Sequence, residues 1–261
     1  MCTVTIIPIP PDPGAADEEL AGYRLATNRD ERRDRQAGQP PRVHRTDAGR
    51  ALWPIDAQAG GTWVGVSDRG LSLAILSSAP PERPAPPAPE RIISRGLIIP
   101  RLIDAATPEE FIDRLEAFPL DCFDCFHLVA VDHTGVINSS WDSRALRIAR
   151  TELGPACYAS SGLGDDRVRP RLRLFDEWRR RAPLTPELQD EFHGHAWPDR
   201  PEISVRMSRE DALTVSTTVV EVRRKADAID ISMTYTAGTE QMNCALAGCE
   251  PGFVEKSGER T

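Results

Sequence analysis

Three short segments carry side chains whose types and places in the chain suit covalent chemistry. Cys2 is the second residue, and removal of Met1, favoured by a small second side chain, leaves a thiol and a free α-amine on one residue. An α-amine of ordinary pKa about 7.7 to 8.0 can take the proton of a thiol near about 8.5, directly or through one water, and the thiolate can attack a carbonyl. The same amine can then protonate a leaving nitrogen. The second segment is Asn28-Arg29-Asp30-Glu31. Arg29 offers a guanidinium for the thiolate or a substrate carboxylate, Asp30 a carboxylate to orient the amine, Asn28 a donor to an oxyanion, and Glu31 a substrate contact. Its plain alternative is a solvated charged turn running on into Arg32, Arg33, Asp34 and Arg35. The third is Gly60-Gly61-Thr62-Trp63-Val64-Gly65, where two glycines entering a strand permit close backbone approach. Gly61, Thr62 and Trp63 are its candidate substrate contacts.

These segments need elements to bring them together. Thr3 to Ile7 and Tyr23 to Thr27 are β-branched runs separated by a Pro/Gly/Ala loop from Pro8 to Gly22, and pairing them as an antiparallel hairpin carries Asn28 to Glu31 back toward Cys2. Tighter hairpins are predicted for Thr62–Val66 with Leu71–Leu76, and for Phe126–Asp132 with Val136–Ser140. Pro80 to Glu90 is too proline-rich for a sheet interior and reads as an extended surface connection. Helical patterns follow at Ile92 to Ala105, after the cap Thr107-Pro108-Glu109-Glu110 with Phe111, Leu115 and Phe118 buried, and from Asp165 with Val168, Leu172, Phe175 and Trp178 facing in and arginines facing out. A shorter helix starts at Thr185-Pro186 with Leu188 and Phe192 buried. Strands return at Leu213 to Val222 and Ile229 to Tyr235. The order fits an α+β arrangement of two mostly antiparallel sheets face to face with helices outside. One domain is expected over residues 1–236, with a mobile tail over 237–261, where periodicity stops.

Composition narrows the function classes. At 261 residues, 40% hydrophobic and 28% charged, the chain is long enough for a large core without disulfides or metals. The net charge of -8 and the spread of arginines along the chain argue against nucleic-acid binding. Neither a signal peptide nor an apolar run of spanning length is present, so a cytoplasmic protein without a membrane span is expected, its six cysteines reduced. Cys122 and Cys125 have CxxC spacing, and Cys244 with Cys249 offer two more ligands, but ordinary buried or edge thiols fit better than a metal site. His193 and His195 read as surface or helix-end residues. No metal and no cofactor are expected, and the oligomeric state is not legible.

The order Met-Cys-Thr, Asn-Arg-Asp-Glu, Gly-Gly-Thr-Trp, together with Ser94-Arg95-Gly96-Leu97 and Ser160-Ser161-Gly162-Leu163, resembles the NRDE family of Transport and Golgi organisation 2 proteins over residues 1 to about 235. The resemblance implies an N-terminal-nucleophile hydrolase-like fold of αββα layers, similar to penicillin V acylase and bile-salt hydrolase. It casts Cys2 as nucleophile and base, with Arg29 and Asp30 flanking it. Ser77 and Ser161 stand where the family often has asparagine, at positions that would contact the oxyanion or the amine. The implied activity is hydrolysis of a linear amide C–N bond in a small molecule. The alternative is a non-catalytic binding or trafficking protein holding an apolar ligand, such as haem or acyl-lipid, in the same pocket.

Overall fold

The computed structural model describes residues 2–10, 22–80, 92–225 and 228–249. Thirteen strands are present among them: β1 (Cys2–Ile9), β2 (Gly22–Arg32), β3 (Gln39–Arg45), β4 (Arg50–Ile55), β5 (Val64–Ser67), β6 (Ser72–Ser77), β7 (Phe126–Asp132), β8 (Gly135–Trp141), β9 (Leu146–Thr151), β10 (Ala156–Ser160), β11 (Ala212–Lys225), β12 (Ala228–Ala237) and β13 (Glu240–Cys249). The helices are α1 (Ile99–Leu102), α2 (Pro108–Glu116), α3 (Arg169–Arg181) and α4 (Pro186–Gly194). No helix among the described residues is long and apolar enough to cross a membrane.

Two antiparallel sheets result. The first has six strands in the order β10-β1-β2-β11-β12-β13, the second seven in the order β3-β4-β5-β6-β7-β8-β9. Their inner faces share one apolar core built from alternate residues, with Val4, Ile6, Tyr23, Leu25 and Val220 from the first sheet meeting Val64, Val66, Ala74, Leu76 and Val129 from the second. The outer face of the second sheet packs α1 and α2 through Leu73, Leu128, Ile99, Phe111 and Leu115. Phe175 of α3 and Phe192 of α4 form a smaller cluster with Val205 over the first sheet, and α3 and α4 lie against β10, β1 and β2. The αββα layering expected from the family resemblance is therefore present.

The local signals hold where chemistry sets them. β1 and β2 pair antiparallel, Cys2 opposite Arg29 and Ile6 opposite Leu25. The hydroxyl of Thr107 accepts from the Glu110 amide at 3.1 Å while the Glu110 carboxylate accepts from the Ala106 amide at 2.7 Å, a reciprocal cap opening α2. The proline-rich segment and the Pro8 to Gly22 loop fall largely outside the described residues.

Four expectations are corrected. The helical pattern from Ile92 to Ala105 forms only a 3-10 turn at Arg95–Leu97 and the short α1. Gly96 is instead held against the second sheet, its carbonyl accepting from the Thr62 amide at 2.9 Å. The expected tail beyond Ala237 contains β13, an edge strand whose polar residues face outward and whose backbone pairs with β12; residues 250–261 lie outside the described residues. Arg171 does not lie on the solvated face of α3 but is fully buried. His193, read as a surface or helix-end residue, is at the helix end of α4 and not at the surface, being 3% exposed.

Candidate active site

Cys2 opens β1 in register with Arg29 of β2 on one side and Ser160 of β10 on the other. A residue so near the chain end, yet paired on both flanks, is held as a frayed end is not. The strand alternation turns Cys2 inward with Val4 and Ile6, and it is 9% exposed. It borders a cavity of about 250 Å³ at one end of the sandwich. The first sheet contributes Cys2, Arg29, Asp30 and Glu31, the second sheet and its lead-in Thr62, Trp63, Ile75 and Ser77, and a third wall is made by Ser94, Arg95 and Gly96.

The Arg29 guanidinium lies 4.4 Å from the Trp63 ring centroid, a cation–π contact. It donates to Asp56 Oδ2 at 2.7 Å and stands 3.9 Å from Glu31. Arg35 donates to the same Asp56 oxygen at 2.9 Å and pairs with Glu31 at 3.3 Å. Two guanidiniums and two carboxylates thus interlock along one wall. Burial works to raise the Asp56 carboxyl, but Arg35, the Ala59 amide and Arg29 hold it below the usual carboxylate range.

Asp30 is held differently. Its Oδ2 accepts from Arg171 Nη1 at 3.1 Å and its Oδ1 from the Thr214 hydroxyl at 2.6 Å. Both side chains of the Asp30–Arg171 pair are fully buried. Burial pushes the Asp30 carboxyl up, and Arg171 and Thr214 oppose it. Burial also pushes the Cys2 thiol up; the charge of Asp30 adds to this, while a hydrogen bond from the Asp30 main chain and the charge of Arg29 work against it. Burial thus favours the protonated thiol at Cys2.

The sequence-derived site divides. Cys2, Arg29, Asp30, Glu31, Thr62, Trp63 and Ser77 border one cavity. Asn28 does not, and its expected part as an oxyanion donor is corrected. Its amide donates to the carbonyls of His193 and Val205 at 2.9 and 3.0 Å, and its oxygen accepts from Thr217 at 2.8 Å, all on the helix side of the sheet. Ser161 is buried outside the cavity, its hydroxyl accepting from the Leu163 amide and its amide donating to Asp165, so the expected substrate contact is corrected there too. Gly61 serves through its backbone: a Cβ there would stand 2.4 Å from the Gly96 carbonyl carbon. That approach seats the Ser94–Gly96 wall. The Thr62 hydroxyl turns back to donate to the Val64 carbonyl at 2.8 Å.

Asp56, Arg35 and Arg171 were missed from the sequence. Asp56 had a signal, since its carboxylate accepts from the amides of Gln58 and Ala59 in a turn just ahead of Gly60-Gly61. Arg171 had none, standing among the many arginines of α3.

The fold has counterparts among solved structures. Penicillin V acylase from Agrobacterium tumefaciens is 13% identical with a TM-score of 0.51, covering 93% of this chain and 84% of its own. An N-acylethanolamine-hydrolyzing acid amidase ortholog from Caenorhabditis elegans is 12% identical with a TM-score of 0.51, covering 84% of this chain and 92% of its own. A variant of conjugated bile acid hydrolase from Clostridium perfringens is 11% identical with a TM-score of 0.50, covering 92% and 96%. At these identities the likeness is one of fold, the N-terminal-nucleophile hydrolase fold. No curated protein matches the chain significantly. The family model for Transport and Golgi organisation 2 matches residues 15–180, spanning the Asn-Arg-Asp-Glu and Gly-Gly-Thr-Trp segments. The chain belongs to the Transport and Golgi organisation 2 family.

Proposed function

We propose that this protein is an N-terminal-nucleophile hydrolase that cleaves a linear amide C–N bond in a small polar molecule, with Cys2 as nucleophile. The observation that carries this reading is the place of Cys2, buried at the wall of a cavity beside Arg29 and the main chain of Asp30. Loss of Met1 frees the α-amine of Cys2. That amine takes the thiol proton as sulfur bonds to the substrate carbonyl carbon, then gives it to the leaving nitrogen as the C–N bond breaks. The resulting thioester is cleaved by water, whose proton again passes to the amine, releasing the acid and the thiol. A thiol raised by burial gains most from a base carried on its own residue.

The cavity wall supports a polar substrate over an apolar one. Arg29, Glu31, Arg35, Asp56 and Arg95 line it with Ser77 and Ser94, against few apolar groups such as Ile75 and the Trp63 ring. Burying a haem or an acyl chain against such a surface would desolvate charges without repaying them.

The test combines intact mass, alkylation and turnover on a panel of N-acyl amides with charged head groups. The expected result is a mass lacking Met1, stoichiometric iodoacetamide labelling at Cys2, and a loss of hydrolysis of about a thousandfold or more in Cys2→Ala. An active preparation that retains Met1, or undiminished hydrolysis in Cys2→Ala, would overturn the reading.

A further inference from the structure

A second cavity, larger than the first at about 460 Å³, opens at the opposite end of the sandwich. The two ends are separated along β2 by the stretch from Arg29, opposite Cys2, to Tyr23, whose hydroxyl donates to the Gly70 carbonyl at 3.0 Å. Six residues of strand make that about 20 Å. The cavity is lined by three arginines from three elements: Arg69 in the β5–β6 turn, Arg150 in β9 and Arg224 near the end of β11.

The charges of this lining do not balance. Glu109 is engaged by Arg150 at 2.6 Å. Asp132 Oδ1 accepts from the Thr134 amide and hydroxyl, both at 2.7 Å, and from the Gly135 amide at 3.2 Å; its charge remains, so three guanidiniums face two carboxylates in the lining. Arg69 donates only to the neutral carbonyls of Asp104 and Ala48, at 3.3 and 3.2 Å. Arg224 meets His133 Nδ1 at 3.3 Å. A guanidinium has no acceptor, so His133 must present a lone pair and carries no charge to offset it. Among the described residues, neither Arg69 nor Arg224 forms an ion pair with a carboxylate, although both are half-buried; the Arg69 charge is felt by Glu110, which Arg114 already holds. The start of α2 borders the same space at Pro108 and Glu109. Leu71 and Ile229 supply apolar wall.

We infer that this second cavity binds the phosphate monoester of a small molecule with an apolar body, the phosphate answering the guanidiniums of Arg69 and Arg224, neither of which is ion-paired among the described residues, and the body lying against Leu71 and Ile229. The site is independent of the chemistry at Cys2. A phosphate presents three acceptor oxygens to forked donors, a match in both charge and geometry. A monocarboxylate supplies only half the charge.

Calorimetric titration of the full chain with phenyl phosphate at low ionic strength tests this, with benzoate and benzyl alcohol as comparison ligands. The expected result is saturable one-to-one binding of phenyl phosphate, binding of benzoate weaker by about tenfold or more, and none of benzyl alcohol. Alkylation of Cys2 should leave the affinity unchanged. Arg224→Gln should weaken it by about tenfold or more, and Arg69→Gln/Arg224→Gln should abolish it. Because Arg69 also ties two backbone segments, the Arg224→Gln single variant decides the matter if the double variant does not fold. Absence of saturable binding, benzoate binding as tightly as phenyl phosphate, or affinity retained in Arg224→Gln would each overturn the assignment.

Discussion

The two faces of β2 use the same four residues in opposite ways. On the inner face Arg29 and Glu31 enter a cavity, Arg29 bonded to Asp56 and stacked on Trp63 while Glu31 pairs with Arg35. On the outer face Asn28 and Asp30 are tied into the helix layer, Asn28 to the carbonyls of His193 and Val205 and Asp30 to Arg171. A strand alternates its side chains, so a contiguous tetrapeptide cannot be one constellation. The motif is better understood as a rivet: one pair shapes a pocket while the other fixes the helices behind it. Asp30 belongs to both sides, because its carboxylate is held by α3 while its main chain meets the Cys2 sulfur.

This contrast says that outer-face substitutions should cost stability and inner-face ones reactivity. The largest expected effect is from Arg171→Met, which leaves Asp30 buried without its counter-charge and should cost about 3–5 kcal/mol in urea denaturation. Adding Asp30→Asn to it should recover part of the loss; an unchanged stability in Arg171→Met would break the rivet picture.

Next comes a pH effect at His193. Burial, then the charges of Arg24 and Arg171, push its imidazolium down to about 3 from an ordinary 6.5. Between those values the unfolded chain binds the proton and the folded chain does not. Stability should therefore fall as pH drops below about 6.5, with the loss complete below about 3, amounting to a few kcal/mol. Denaturation midpoints from pH 7 to 4 should show this slope, and His193→Gln should flatten it.

Asn28→Ala should cost about 2 kcal/mol by orphaning two buried carbonyls, with the alkylation rate of Cys2 unchanged. A selective loss of activity at full stability would restore Asn28 to the site. Smallest in stability is Arg29→Gln, about 1.5 kcal/mol, because Asp56 keeps Arg35 and the Gln58 and Ala59 amides. Its mark should be kinetic: with the Arg29 charge gone the Cys2 thiol rises further, and alkylation at pH 8 should slow.

The legible parts of the molecule were those set by short-range rules. The β1–β2 hairpin, the Thr107 and Thr185 caps and the hairpins around Gly70 and Gly135 follow from β-branched runs, prolines and glycines whose effects act within a few residues. Five strands, β3, β4, β9, β10 and β13, were not anticipated. β9 and β13 are edge strands with mostly exposed side chains, so alternation leaves little hydrophobic trace. β3 contains Pro40 and Pro41, which edge strands tolerate and central ones do not.

Local residue types were enough to read that Cys2 heads a strand, that the hairpin returns Asn28–Glu31 toward it, and that Gly60-Gly61 permit a close backbone approach; the register that sets Arg29 opposite Cys2 and the partner of Gly61 came with the fold. Which arginine is buried depends on how the helix layer docks. Arg171 and the other arginines of α3 are chemically alike, and only the approach of α3 to β2 places one of them on Asp30. The same approach turned Asn28 from an expected oxyanion donor, and His193 at the helix end, into buried parts of the wall between sheet and helices.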